Sequence, residues 1–293
     1  MDKSLLCAAP AARPAVLLLH GLCANPMELM PLARPLREAG YEVKIPALPG
    51  YGVPLEAAPG RPPVSRFEDW LAQVRDYHEA LAAQHGPVIV GGLCMGAVLA
   101  LALAAERPVR ALLLVSTTLY FDGWNVSPWR RLLPLAYLPP LRGRLSFREK
   151  PPYGIKNPSM QAWVAQAMSH QQVSVAGAAR LSAAALHQAS RLLRQVHRRL
   201  PAIQAPALAL QAVHDDVTSP RSVRTLEQRL GRPPEVQWFH DSYHMLTLDN
   251  ERVAVAAAAR DFLQRVAPAG RPAPTPLAPL RPTLGVLNAA FHA

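Results

Sequence analysis

Gly92-Leu93-Cys94-Met95-Gly96 is the stretch that most restricts how this chain can fold. The run Val88-Ile89-Val90 before it is short and apolar and reads as a buried strand. Residues 97–105 after it are small and apolar and read as a helix. A strand that turns at once into a helix brings the two backbones so close that only small residues fit two positions either side of the apex. Gly92 and Gly96 meet that need, and Cys94 stands at the apex, where such a turn presents a nucleophile in a strained backbone. A buried structural cysteine in a glycine-rich turn is the plainer reading of the pentapeptide alone. The rest of the chain must therefore supply the partners of a reactive thiol.

Short apolar runs alternate with helical patterns on both sides of this turn. Residues 15–19, 41–45, 111–115, 207–211 and 236–239 read as further strands, and 27–39, 67–84, 222–230 and 252–266 as helices. Gly40 and Gly86 punctuate the first two helices, and 46–63 is rich in Pro and Gly and reads as loop. Strands alternating with helices predict an α/β fold, a mostly parallel central sheet with helices on both faces. Residues 119–203 interrupt the pattern. Their first part is rich in Trp and Pro, 159–170 looks helical, and 178–200 is an amphipathic helix. Its apolar face carries Leu181, Ala185, Ala189, Leu192, Val196 and Leu200, and a basic stripe of Arg180, His187, Arg191, Arg194 and Arg198 lies opposite. The expected organisation is a core in two parts, 1–118 and 204–267, a helical cap inserted at 119–203, and a disordered proline-rich tail at 268–293.

A cysteine nucleophile needs a base, an acid to orient it, and donors for the oxyanion. His214-Asp215-Asp216 directly follows the 207–211 strand, and His240-Asp241-Ser242-Tyr243-His244 follows the last strand. Nucleophile, acid and histidine thus occur in the order that a sheet-end triad of this kind requires. Asp216 competes with Asp215, and His240 and Asp241 with His244.

The ordered set resembles the carboxylesterase and monoacylglycerol-lipase group of bacterial α/β-hydrolases. It comprises Leu17-Leu18-Leu19-His20-Gly21-Leu22, Pro49-Gly50-Tyr51-Gly52-Val53-Pro54, the elbow, His214-Asp215-Asp216 with Ser219-Pro220, and Tyr243-His244 with Thr247-Leu248-Asp249. Two residues depart from that group: Cys94 stands where it has serine, and Tyr51 where it usually has histidine. The resemblance implies Cys94 as nucleophile, His244 as base, Asp215 as orienting acid, and the backbone N–H groups of Leu22 and Met95 as the oxyanion hole. It implies a cofactor-independent hydrolase acting on a carboxylic ester or thioester with an apolar acyl part, through an acyl-thioenzyme. A thiol beside an imidazole and a helix N-terminus suits thioester exchange. An acyltransferase passing the acyl group to an alcohol or amine is therefore one alternative, and a non-catalytic binding protein on the same fold is another.

Charge narrows the partners. Of the formal +11, all lies in 124–200, which holds 12 Lys or Arg and one acid, Glu149; the remainder is balanced. Such a segment suits an anionic substrate or partner, acyl-CoA, an acidic carrier protein or a membrane surface, or else is a solvated helix face. No nucleic-acid motif, metal-ligand cluster or phosphate loop is evident, and no apolar run reaches the roughly 18 residues of a membrane span. The start of the chain has no signal-peptide pattern, so a cytoplasmic protein is expected. Cys7, Cys23 and Cys94 make no disulfide framework, although Cys23 is close enough to the expected oxyanion residue to contact Cys94.

Overall fold

The structure is a computed structural model that describes residues 13–54, 64–171 and 173–269. The expected tail lies outside the described residues from 270 onward, as do Cys7 and residues 55–63 of the Pro/Gly loop.

The first part of the chain alternates: β1 (Ala15–Leu19), α1 (Met30–Glu38), β2 (Glu42–Lys44), α2 (Phe67–His85), β3 (Ile89–Leu93), α3 (Met95–Ala104) and β4 (Ala111–Val115). The interruption holds short helices α4 (Leu133–Ala136) and α5 (Leu141–Arg144), β5 (Ser146–Arg148), and α6 (Pro158–Gln171). It continues with β6 (Val173–Ser174), β7 (Gly177–Ala178), β8 (Arg180–Ser182) and α7 (Ala183–Arg199). Alternation then resumes with β9 (Ala207–Ala212), α8 (Arg221–Arg229), β10 (Glu235–Phe239) and α9 (Arg252–Val266).

Six strands form one sheet in the order β10-β9-β4-β3-β1-β2, every neighbouring pair parallel. The fold is the expected α/β-hydrolase class. Successive side chains on a strand point to opposite faces, so each apolar strand feeds two cores. Leu17, Leu19, Val90, Leu112 and Leu114 join α2, α3 and α7 in one cluster. Val16, Leu18, Ile89, Leu113 and Val115 join α1 and α9 in the other. The chain leaves β1 toward β2 and comes back to β3 on the other side of β1. The carboxyl ends of β1 and β3 therefore flank the point where strand order reverses, where open α/β sheets place their ligand crevice.

Several boundaries differ from the sequence reading by one to three residues; the helix expected at 27–39, for one, opens with a 3₁₀ turn, Pro26–Leu29, before α1, and two further differences have a clear physical cause. The strand expected at 88–90 starts at Ile89 and runs on through Leu93, because Gly91 and Gly92 still pair with Leu18 and Leu19 on one side and with Leu113 and Leu114 on the other, and Leu93 pairs with Val115. The helix expected from 178 starts at Ala183. Residues 180–182 pair instead with β5, and the Ser182 hydroxyl accepts the Ala185 N–H at 3.1 Å, an N-cap that fixes the start. The apolar face of α7 packs on α3 and α2: Ala189, Leu192, Leu193 and Val196 belong to the same buried cluster as the elbow helix.

Candidate active site

Cys94 sits at the carboxyl end of β3 with φ 58° and ψ −120°, a conformation that costs a non-glycine residue about 1–3 kcal/mol. The surroundings hold it there. Its N–H donates to Val115 O at 3.0 Å. A Cβ on Gly92 would fall 2.4 Å from Leu19 O, and one on Gly96 2.0 Å from the same atom, so β1, β3 and α3 meet with no room for a side chain. Among the described residues, four non-glycine residues have positive φ: Cys23, Cys94, Ser116 and Tyr153. All four lie on the loops described below, and strain gathered in one place is a mark of a functional site.

The half-buried Cys94 thiol is not in a disulfide. The hydroxyl of Thr118, on the loop after β4, donates to its Sγ at 3.3 Å. The Cys94 charge acts on His244, whose Nε2 is buried and has no hydrogen-bond partner among the described residues. The opposite nitrogen, His244 Nδ1, lies 2.8 Å from Asp215 Oδ2 and 3.0 Å from Oδ1, with both side chains buried. Burial alone would lower the histidine's pKa; the Asp215 charge, then Cys94 and the bond to Asp215, outweigh it and raise the pKa well above 6.5. Asp215 is fixed in turn. Gln211 Nε2 donates to Oδ2 at 2.7 Å, and the N–H groups of Val217 and Thr218 donate to Oδ1 at 2.8 and 2.9 Å.

The neighbouring carboxylate does something else. Asp216 accepts the backbone N–H of His244 at 3.4 Å and that of Gly154 at 3.1 Å. Asp249, fully buried, accepts the N–H groups of Lys156, Asn157 and Tyr243. Met245 N donates to Gly154 O at 2.7 Å, and Ser116 Oγ to His244 O at 2.6 Å. The histidine loop is thus tied to the 154–157 segment of the interruption and to the loop after β4. The competing His240 and Asp241 are exposed; Asp241 pairs with the ammonium of Lys156 at 2.8 Å, at the outer edge of this network.

The loop after β1 runs beside the elbow: a Cβ on Gly21 would lie 3.6 Å from Cys94 Cβ. Ala24 N donates to Gly21 O at 3.2 Å and Cys23 takes φ 56°, which closes a tight turn over Leu22. Among the described residues, neither Leu22 N–H nor Met95 N–H has a protein acceptor, and Met95 is the first residue of α3. The expected site residues Cys94, Asp215, His244, Leu22 and Met95 therefore converge at one end of the sheet.

Several residues of this site were not foreseen from the sequence. Glu28 is fully buried and accepts the Gly21 N–H at 2.5 Å. Burial pushes its carboxyl up to about 8, against the pull of the Gly21 bond and the His244 charge. The only hint was an acid at the apolar start of a helix. Gln211, the one polar residue in Ala207-Leu208-Ala209-Leu210-Gln211-Ala212, was a clearer signal, since a buried strand tolerates a polar side chain only with a partner. Tyr51 fills the histidine position of the resembling group: its hydroxyl donates to His20 O at 2.8 Å and its ring packs on His20 and Trp70. His20, held by burial at a pKa of about 4, is neutral and donates from Nδ1 to Gly21 O at 2.9 Å.

The basic stripe on α7 is only partly free. Arg180, expected on this stripe, lies instead on β8; Arg191 pairs with Glu68 and lies 4.8 Å over the Phe67 ring, and Arg199, beside the stripe, pairs with Glu106 at 2.9 Å. A concavity of about 580 Å³ runs along Arg191, Arg194, Arg198 and Arg199, and none of its lining residues belongs to the network around Cys94. Among the described residues, no helix is long and apolar enough to cross a membrane.

Comparison with known proteins agrees with the fold. The chain is 26% identical to a carboxylesterase of Bacillus subtilis (strain 168) over 254 residues, covering 86% of this chain and 93% of the relative. It is 26% identical to a thermostable monoacylglycerol lipase of Bacillus sp. (strain H-257), covering 85% and 90% respectively. The structure of a monoacylglycerol lipase from Paleococcus ferrophilus shares the fold with a TM-score of 0.71 at 18% identity, over 87% of this chain and 97% of that one. Residues 10–251 match the Hydrolase_4 family model, described as serine aminopeptidase, S33. With its six-stranded parallel sheet and its elbow after β3, this chain belongs to the serine aminopeptidase S33 family of α/β-hydrolases and is an esterase- or lipase-like hydrolase.

Proposed function

We propose that this hydrolase cleaves a carboxylic ester or thioester with an apolar acyl part, using Cys94 as nucleophile, His244 as general base and acid, and Asp215 as the group that holds the imidazole. The observation that carries the reading is the buried His244–Asp215 pair, closed at 2.8 Å on Nδ1, with the buried Nε2 left without a hydrogen-bond partner among the described residues and Cys94 near enough to raise the ring's pKa.

His244 takes the Cys94 thiol proton, the thiolate attacks the substrate carbonyl carbon, and a C–S bond forms. The carbonyl oxygen becomes an oxyanion and is bound by the N–H groups of Leu22 and Met95; a donor of this kind is worth about 10²–10³ in rate. The tetrahedral species collapses, the C–O or C–S bond to the leaving group breaks, and His244 supplies its proton. Water then loses a proton to His244, attacks the acyl-thioenzyme, and releases the acid with the thiol restored. Asp215 stabilises the imidazolium at each transfer. Residues 119–203 act as the cap, hydrogen-bonded through Gly154, Lys156 and Asn157 to the acids that position the histidine loop.

The relatives named carboxylesterase and monoacylglycerol lipase support an ester as substrate. Intact-mass spectrometry after incubation with p-nitrophenyl butyrate or an acyl-CoA tests the mechanism. The expected result is an acyl adduct mapped to Cys94 and free acid in solution. Turnover without any adduct, or turnover retained by Cys94→Ala, overturns it.

A further inference from the structure

Nine of the eleven large hydrophobic side chains exposed among the described residues lie between Trp124 and Trp163. Five of them recur at every third position. Trp129 is 76% exposed, Leu132 49%, Leu135 57%, Leu138 53% and Leu141 42%. They sit on the 3₁₀ turn Pro128–Leu132, on α4, and on the connection into α5. Within the thirteen residues from Trp129 to Leu141, across one 3₁₀ turn and two short helices, five large apolar side chains are thus held out of the core. Soluble surfaces scatter apolar residues singly; a row of this kind marks a docking face.

The cations in the same stretch identify the occupant. Arg130, Arg131, Arg142, Arg144, Arg148 and Lys150 accompany the row, and Glu149 is the one acid in 124–150. None of these cations forms an ion pair with a described residue. Arginines flanking exposed Trp and Leu suit an anionic bilayer interface, where the rings and methyls enter the acyl boundary and the guanidinium groups reach the phosphates. A second copy of this chain fits poorly, because a two-fold interface sets each patch on itself and opposes its arginines. An acidic carrier protein satisfies the charges and leaves the apolar row uncovered.

The stretch also begins over the candidate site. Trp124 Nε1 donates to His214 O at 3.0 Å, its ring lies 5.4 Å from that of Tyr243, and Asn125 N donates to Asp216 O at 3.1 Å. We infer that residues 124–148 are a peripheral docking surface for an anionic phospholipid bilayer, placed so that an apolar substrate leaves the lipid next to the loops that carry Asp215 and His244. Docking needs no chemistry at Cys94 and stands apart from the catalytic reading.

The test is sedimentation of the full chain with vesicles of phosphatidylcholine alone or mixed with phosphatidylglycerol. Wild type and Cys94→Ala should both bind the mixed vesicles, more than tenfold tighter than the neutral ones, and less tightly as salt rises. Arg130→Glu with Arg131→Glu should weaken binding on the order of twentyfold or more, and Trp129→Ser with Leu132→Ser and Leu135→Ser by tenfold or more. Thermal melts check that the variants fold, and the arginine pair decides the matter if the apolar triple melts early. Absence of binding to mixed vesicles, or equal binding by a folded variant, overturns the inference. So does a dimer in sedimentation velocity that the apolar triple abolishes, which would make the row a subunit interface.

Discussion

Asp215 and Asp216 are neighbours in the chain and hold the same histidine by different atoms. Asp215 takes the ring of His244 at 2.8 Å, and Asp216 takes its backbone N–H at 3.4 Å together with that of Gly154. Asp215→Asn should therefore cost about 10⁴ in kcat, because an amide leaves the imidazole in the wrong tautomer. Asp216→Asn should cost far less in kcat and appear mainly as a lower melting temperature. Steady-state rates and melts of both variants decide the assignment; the reverse ranking would move the acid by one residue.

Cys94→Ala should abolish acyl transfer and leave stability nearly unchanged, since alanine and cysteine meet the same strain at φ 58°. Retention of more than about a tenth of the wild-type rate would rule out the nucleophile, given the far larger losses expected when one is removed. Cys94→Ser separates two possibilities. Serine should keep or raise oxygen-ester hydrolysis and lower thioester turnover if the site remains tuned for esters. A loss on both substrates would make the thiolate indispensable.

Glu28 predicts a pH dependence of stability. Its folded-state pKa is raised to about 8, mainly by burial, so the folded protein keeps this proton over a range where the unfolded chain has lost it. Stability then falls as pH rises from about 4.5 toward 8 and levels off beyond, the sign given by linkage when the native state binds more protons. Glu28→Gln keeps an oxygen to accept the Gly21 N–H and removes the titration. Melting curves of the variant should lose this contribution to the slope and cross above wild type toward pH 8. Parallel curves for the two proteins between pH 5 and 8 would show that Glu28 does not titrate there.

Gly96→Ala should destabilise on the order of 3 kcal/mol or more, because the new methyl would sit 2.0 Å from Leu19 O and neither backbone can yield without opening the β1–β3 pairing. Gly143→Ala is the matched control, since a Cβ there meets nothing within 4 Å. Chemical denaturation midpoints compare the two; similar midpoints would show that the elbow is looser than its geometry.

What was legible in the sequence was local. Apolar runs of strand length, helical spacing and glycine punctuation depend on neighbours a few positions away, so the alternating order, the elbow and the segments holding Cys94, Asp215 and His244 could be read directly. The same rules located α9 at 252–266 and β4 at 111–115. Choices between near-equivalent residues were not local. Asp215 and Asp216 are both buried, and only the packing of the loops that follow β9 and β10 sets the first on the ring of His244 and the second on its backbone N–H. Arg191 lay on a plausible solvent stripe, yet α7 packs beside α2 and brings it to Glu68, 123 residues away. Glu28 carried only the faint signal of an acid at an apolar helix start and Thr118 none, because their importance comes from the strands on which their neighbours run. Periodicity determines which face of an element is buried; only the packing of the sheet and its helices determines which polar groups are buried together, and that is where the chemistry of this protein was decided.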